Sequence, residues 1–232
     1  GTLNLGKGTL TGTLNASSNG GAIVQAASVP SDHLAVFGAA VLDAGSGTIT
    51  LTRAGNDFQS AVSLTGAATQ VNDVNALTLG TVNTVNTGDL TVTSHGVLNL
   101  GRGTVTGNLV ANSNGTAIAQ STLGSDHLTV TGTSTLNAGA GSITLTQSTN
   151  DFQGAVSLTG AATQVTDANA LTLGTVNTGD LSLISGGALN LGHGTVAGAL
   201  NATSNGNAIT QGSGGLTVTG VATVTAGTST VN

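Results

Sequence analysis

Ser31, Asp32 and His33 stand side by side, and the same three residues recur as Ser125, Asp126 and His127. These are the residue types of a hydrolase triad, where an acid orients an imidazole that takes a proton from a hydroxyl. Their spacing works against that chemistry. Neighbours on an extended strand point to opposite sides, so an adjacent Asp and His do not converge on one nucleophile, and a triad draws its members from separate segments. The matching stretch later in the chain is Gly212 to Gly215, Gly-Ser-Gly-Gly, with neither Asp nor His. A solvated loop or turn is expected, with no catalytic residue.

Three further sets invite the same scrutiny. Asp57 and Asp151, Asp73 and Asp167, and Asp89 and Asp180 are paired by position, 91 to 94 residues apart, and acids in repeated places suggest Ca²⁺ ligands. With about 20 to 30 residues per coil of a stacked structure, such pairs lie three or four coils apart, roughly 14 to 20 Å, beyond the reach of one ion. The Asp-rich glycine nonapeptide of Ca²⁺-binding β-rolls is absent from the sequence. No metal, cofactor-binding or catalytic residue is therefore assigned. Asn-Asp before Phe58 and Phe152 reads as a turn cap that sends the ring inward. Lys7, Arg102 and His193 share one place in an LNLGxG motif; the expectation is an exposed turn that tolerates bulk, the alternative a weak anionic contact. Arg53 corresponds to Gln147, and Asp43 to Asn137 and Thr225, so charge is dispensable at those places.

The elements that hold these residues are set by repetition. Asn56 to Val82 recurs as Asn150 to Val176 with changes only at Ser60/Gly154, Asn72/Thr166 and Val74/Ala168. LNLG begins at Leu3, Leu98 and Leu189, spacings of 95 and 91, so the 232 residues form one repeat segment with long units of approximately 1–95, 96–186 and a partial 187–232. The ends fall within repeats, and the chain reads as part of a longer one. Inside each unit, Leu-Thr-Val-Thr, Ile-Thr-Leu-Thr and Val-Ser-Leu-Thr alternate apolar and polar residues, the period of a strand with one buried face. Asn19-Gly20, Asn114-Gly115 and Asn205-Gly206 mark turns in phase, where a positive φ is cheap; solenoid corners are preferred to hairpins. The fold class expected is all-β, a β-solenoid of tandem repeats, about 8 to 12 coils and roughly 40 to 55 Å long.

Composition agrees. Charged residues are only 5% of the chain, with Lys+Arg 3, Asp+Glu 9 and a net charge of −6, against about 25% charged in ordinary soluble domains. In a parallel stack, equivalent residues lie about 4.8 Å apart, so a charge repeated on successive coils costs roughly 1 kcal/mol per pair even in water; Thr, Ser and Asn ladders avoid it. Three basic residues cannot neutralise a phosphate backbone or an anionic bilayer, so nucleic acid is not expected as a partner. No apolar run reaches the roughly 18 residues of a membrane helix, and the aromatic girdles of a membrane barrel are missing because Trp and Tyr are absent. No membrane insertion is expected. The core is expected to be aliphatic, with Phe37, Phe58 and Phe152 as its only large rings.

NDFQGAVSLTG, ANALTLGTVNTGDLSL, GALNLGHGTVAGAL and LTVTGTSTLNAGAGSITLT resemble the repeat shaft of filamentous-haemagglutinin-like exoproteins, adhesins secreted by Gram-negative bacteria through two-partner secretion. The resemblance covers essentially the whole chain. It implies a right-handed parallel β-helix, export to the cell surface or a biofilm matrix, and a structural or adhesive role rather than an enzymatic one. The partners it implies are cell-surface or matrix components. Neighbouring repeats or further copies of the chain are expected for a separate reason: a stack cut from its neighbours exposes unpaired strand edges. The isolated segment is therefore expected to associate end to end, with filaments as one outcome, or to fray at its ends. The family's Asn-rich secretion signature is not in this stretch. Two rival classes remain. Thr-x-Thr on a flat solenoid face suits ice binding, although the Thr residues fall on several strands. A polysaccharide-acting β-helix enzyme needs clustered acids, bases and sugar-stacking aromatics, for which three basic residues without Trp or Tyr leave little material.

Overall fold

The computed structural model describes residues 1–25, 32–121 and 126–232. Strands are short because the chain turns a corner every few residues. Leu3–Asn4, Gly8–Leu10 and Leu14–Ser17 make the first coil, one strand on each of three sides. Ile23–Val24, Leu34–Val36 and Ala40–Asp43 then lie on them in parallel register: Leu3 against Ile23, Gly8 against Leu34, Leu14 against Ala40. Repetition of this step builds an all-β solenoid of parallel strands with about 10 turns. At about 4.8 Å per coil that is a rod of roughly 48 Å, inside the expected range. No helix occurs among the described residues.

Stacked partners are 17 residues apart at the shortest (Val156 and Leu173) and 26 at the longest (Leu14 and Ala40). Most coils thus fall within the 20 to 30 residues expected and the tightest lie just below it, while repeat-equivalent aspartates lie a little over four coils apart rather than three or four. Two long strands, Leu77–Thr84 and Leu171–Thr178, each bend around a corner and serve two sides. Leu77 and Thr78 pair with Leu98 and Asn99, while the end of the same strand pairs with Val62–Gly66 and Arg102–Val105.

Alternation along the strands sorts residues into ladders. On the first side Leu51, Val71, Val92, Ala111, Leu136, Leu158 and Val176 stack inward, all buried. Next to them Asn72, Thr93, Asn112, Asn137, Thr159 and Asn177 stack in register on the outside. Charge is kept apart within such ladders: on the third side Asp43 and Asp151 are separated by Thr65, Asn83, Thr104 and Thr129. This is the arrangement that the cost of like charges 4.8 Å apart demands.

Phe58 and Phe152 are fully buried, as expected, but Phe37 is 45% exposed. It follows the buried strand Leu34–Val36 at a corner, where the alternation that buried Val36 turns the next side chain outward. Not every inward group is apolar. The hydroxyls of Thr163 and Thr178 are buried without a hydrogen-bond partner. Thr69, the counterpart of Thr163, donates to the Ala67 carbonyl at 3.1 Å. Removing a buried, unsatisfied hydroxyl while keeping its shape relieves a desolvation penalty. Thr163→Val is therefore expected to raise the chemical-denaturation stability by about 1 kcal/mol, and Thr69→Val to gain less.

Candidate functional site

Where an LNLGxG stretch meets the coil above it, the chain gathers its few charges. Lys7 Nζ lies 2.8 Å from Asp32 Oδ1, and Arg102 Nη1 lies 2.9 Å from Asp126 Oδ1. The side chains of Lys7 and Arg102 are 62% and 52% exposed, whereas both aspartates are almost wholly covered. This corrects two expectations. Asp32 and Asp126 are not part of a solvated loop; their neighbours His33 and His127 are the exposed members, as opposite-facing neighbours must be. The shared basic position is more than a turn tolerant of bulk, since in two units it holds a carboxylate supplied by the next coil. Ser31 and Ser125 lie outside the described residues. In the third unit His193 Nε2 lies 3.2 Å from Thr175 Oγ1 instead, and Gly214 packs against its ring.

The fold positions this pair through glycine. Gly101 and Gly103 have φ of +63° and +124°, and a Cβ on Gly103 would stand 1.9 Å from the Val82 carbonyl oxygen of the coil beneath. Gly192 and Gly194 repeat the geometry with φ of +64° and +127°. Beneath Arg102 the long strand carries one extra residue: Leu79 pairs with Val62 but Val82 with Leu64, a β-bulge, and Leu173 and Val176 repeat it against Val156 and Leu158. Bulge and glycines together open a cleft of about 270 Å³, lined by Ser63, Thr78, Gly80, Thr81, Asn99, Arg102, Ser121 and Asp126. Its walls offer hydroxyl, amide and guanidinium groups for polar contacts, with Asp126 already engaged by Arg102.

The remaining candidates serve the backbone. Asp73 accepts hydrogen bonds from the Phe58 and Asn75 amides, both at 2.7 Å, and Asp167 does the same for Phe152 and Asn169 at 2.7 and 2.8 Å. Asn56 Oδ1 accepts from the Leu34 amide and from Gln25, and Asn150 Oδ1 from the Leu128 amide and Gln120. Thus Asn56 and Asn150 do hold the bend before each Phe, while Asp57 and Asp151 sit at the surface beside Gln59 and Gln153. Asp89 and Asp180 accept from the amides of Asn108 and Ala199. Among the described residues no three His or Asp side chains gather as metal ligands do.

Protonation separates the two kinds of aspartate. Burial pushes the Asp73 and Asp167 carboxyls above the ordinary value of 3.8, against the opposing pull of the Phe58 and Phe152 amides. Asp126 is held below it, first by the Ser121 hydroxyl and then by Arg102. A carboxyl whose folded pKa is raised binds its proton more tightly than the unfolded chain does. Its contribution is present at low pH and is lost as pH rises from the unfolded value through the folded one. Asp126 has the opposite sign: its contribution is present above the unfolded pKa and fades as pH falls through the lowered folded value. Carboxyl-carbon titration by NMR should place Asp73 and Asp167 above, and Asp126 below, the ordinary aspartate value of 3.8. In Arg102→Gln, Asp126 should move up while Asp73 and Asp167 stay put.

A family model described as repeats of unknown function (DUF5649) matches residues 1–65, 87–159 and 178–232. The chain belongs to that repeat family. Each matched stretch of the DUF5649 repeat contains one LNLGxG motif, and the first two run through the partnering aspartate, Asp32 or Asp126, and past Phe58 or Phe152. The long bent strands with their bulges fall almost entirely between the stretches, at 66–86 and 160–177. No curated protein and no solved structure matches the chain.

Proposed function

We propose that this DUF5649 segment is a non-enzymatic shaft: a stiff, structural and adhesive part of a secreted bacterial protein at the cell surface or in a biofilm matrix. The observation that carries the reading is the uninterrupted coil stack, with its aliphatic ladders inside and neutral Thr, Ser and Asn ladders outside. Such a stack gains length by unit duplication without accumulating like charge. Absence of Cys suits a chain exported unfolded, and the resemblance of NDFQGAVSLTG and GALNLGHGTVAGAL to exoprotein shafts supplies the adhesive and two-partner-secretion elements. Labelling intact producer cells with antibody against this segment tests the location. Signal on unbroken cells or in the matrix is expected, and signal only after lysis would overturn it. Beads coated with the segment should adhere to such cells above beads coated with an unrelated β-solenoid.

End-to-end joining belongs to the same reading, because a parallel stack prepared in isolation leaves strand edges unpaired at both ends, and such edges template further strands. Top and bottom coils differ, so the contact is head to tail, which need not close and can generate a filament. Sedimentation across a wide concentration range should show growing oligomers that fused capping coils abolish; a strictly monomeric species would reject it. Ice binding keeps one observation in its favour, the outward ladder Thr50, Gln70, Thr91, Val110, Thr135, Ser157 on the first side. Gln70 and Val110 break the hydroxyl array, so thermal hysteresis is expected to be absent.

A further inference from the structure

LNLG is the same motif at Leu3, Leu98 and Leu189, yet the three do not stack on one another. Leu3 begins the first side, in line with Ile23, Ile49, Thr69 and Leu90. Leu98 lies on the second side between Leu77 and Ile118. Leu189 lies on the third, between Leu171 and Ile209. The cause is arithmetic in the chain. Between one LNLG strand and the next come twelve strands, counting the LNLG strand itself, and one of the twelve turns a corner to serve two sides. A unit therefore fills thirteen sides of a three-sided coil, which is four whole turns and one third.

We infer that the long unit is a screw step: each copy presents its Lys7, Arg102 or His193 niche one third of a turn further around the shaft. The shaft has no single binding face. Successive niches are displaced by about 21 Å along the axis, and the same side recurs only every third unit, after thirteen coils or about 62 Å. A flat surface pressed against one side meets one niche in three, whereas partners that dock singly, each at its own niche, reach every copy from all around. A kindred consequence holds for the turns at Asn19, Asn114 and Asn205, which occupy three different corners.

The chain has no Cys, so introduced thiols report cleanly. Asn15, Val110 and Asn201 are repeat-equivalent, exposed, and on the third, first and second sides. Spin labels on Asn15→Cys/Val110→Cys and on Val110→Cys/Asn201→Cys should give matching distances clearly longer than the roughly 21 Å of axial rise alone. A pair at Thr91→Cys/Val110→Cys, neighbours in one ladder, should be in near contact. Gold on all three sites of the triple variant should appear on both edges of the rod in electron micrographs. Distances at the bare axial rise, labels confined to one edge, or a failed ladder pair would each overturn the inference. Thr9, Thr104 and Thr195 form a second trio, on the second, third and first sides, should a thiol in the first trio disturb folding.

Discussion

Phe152→Ala is expected to destabilise the rod by about 3 to 5 kcal/mol, and Phe58→Ala by a similar amount, read from denaturant midpoints. Each ring is 1% exposed and belongs to the buried core, whose other members are aliphatic side chains. The solenoid interior is bounded by backbone on every side, so its walls cannot collapse without breaking the hydrogen bonds between coils. That places the cost at the upper part of the range seen for Phe truncation, where residual cavity volume decides the spread. Phe37→Ala is the control: the ring is nearly half exposed, and the change should cost less than about 1 kcal/mol. Equal effects at Phe37 and Phe152 would contradict the inward path of the chain at Asp151–Phe152.

That control also marks how far the sequence could be read. Period-two alternation was enough to predict strands, and a repeat that conserves Asn-Gly corners was enough to predict stacked coils, because both are local patterns. Phe37 escaped because its fate depends on whether the corner falls before or after it, which composition does not record. Pairing of Lys7 with Asp32 and of Arg102 with Asp126 escaped for a different reason. The partners are 25 and 24 residues apart, and they meet only because the coil between them has that length. With coils of 17 to 26 residues in one chain, no fixed offset identifies such contacts. The same irregularity hid Gln25 behind Asn56, 31 residues away, and the third-of-a-turn advance of each unit. The one signal available was recurrence: a Lys or Arg in LNLGxG and an Asp before His occur together in the first two units, and in the third His193 replaces the Lys or Arg where the Asp-His pair is gone.

Gly141→Ala is expected to be at least as damaging as the loss of a Phe ring, although it adds a single methyl group. Gly141 does not have a positive φ, so the objection is not conformational. A Cβ there would stand 1.9 Å from the Thr116 carbonyl oxygen and 2.2 Å from its carbon, in the backbone of the coil beneath. Backbone cannot rotate away as a side chain can, and the coils at this corner are tied on both sides. The Ile118 amide of the coil beneath donates to the Ser142 carbonyl at 2.8 Å, and the Ala161 amide of the coil above donates to the Gly141 carbonyl at 2.7 Å. Relieving the clash means lifting one coil from another and losing such bonds, each about 1 kcal/mol net, on top of an overpacking cost of about 1 to 3 kcal/mol. Gly47 repeats the situation, with its Cβ position 1.9 Å from the Gly21 carbonyl oxygen. By contrast Gly12 has open space around it and no positive φ, so Gly12→Ala should leave the midpoint within about 0.5 kcal/mol. Hydrogen exchange would localise the damage in Gly141→Ala: faster exchange at Ala161 and Ile143, beside the corner, with Leu42 and Leu64 in the early coils keeping their protection. Uniform loss of protection along the rod would instead mean that the coils unfold as one cooperative unit, contrary to the nearest-neighbour stacking that a solenoid implies.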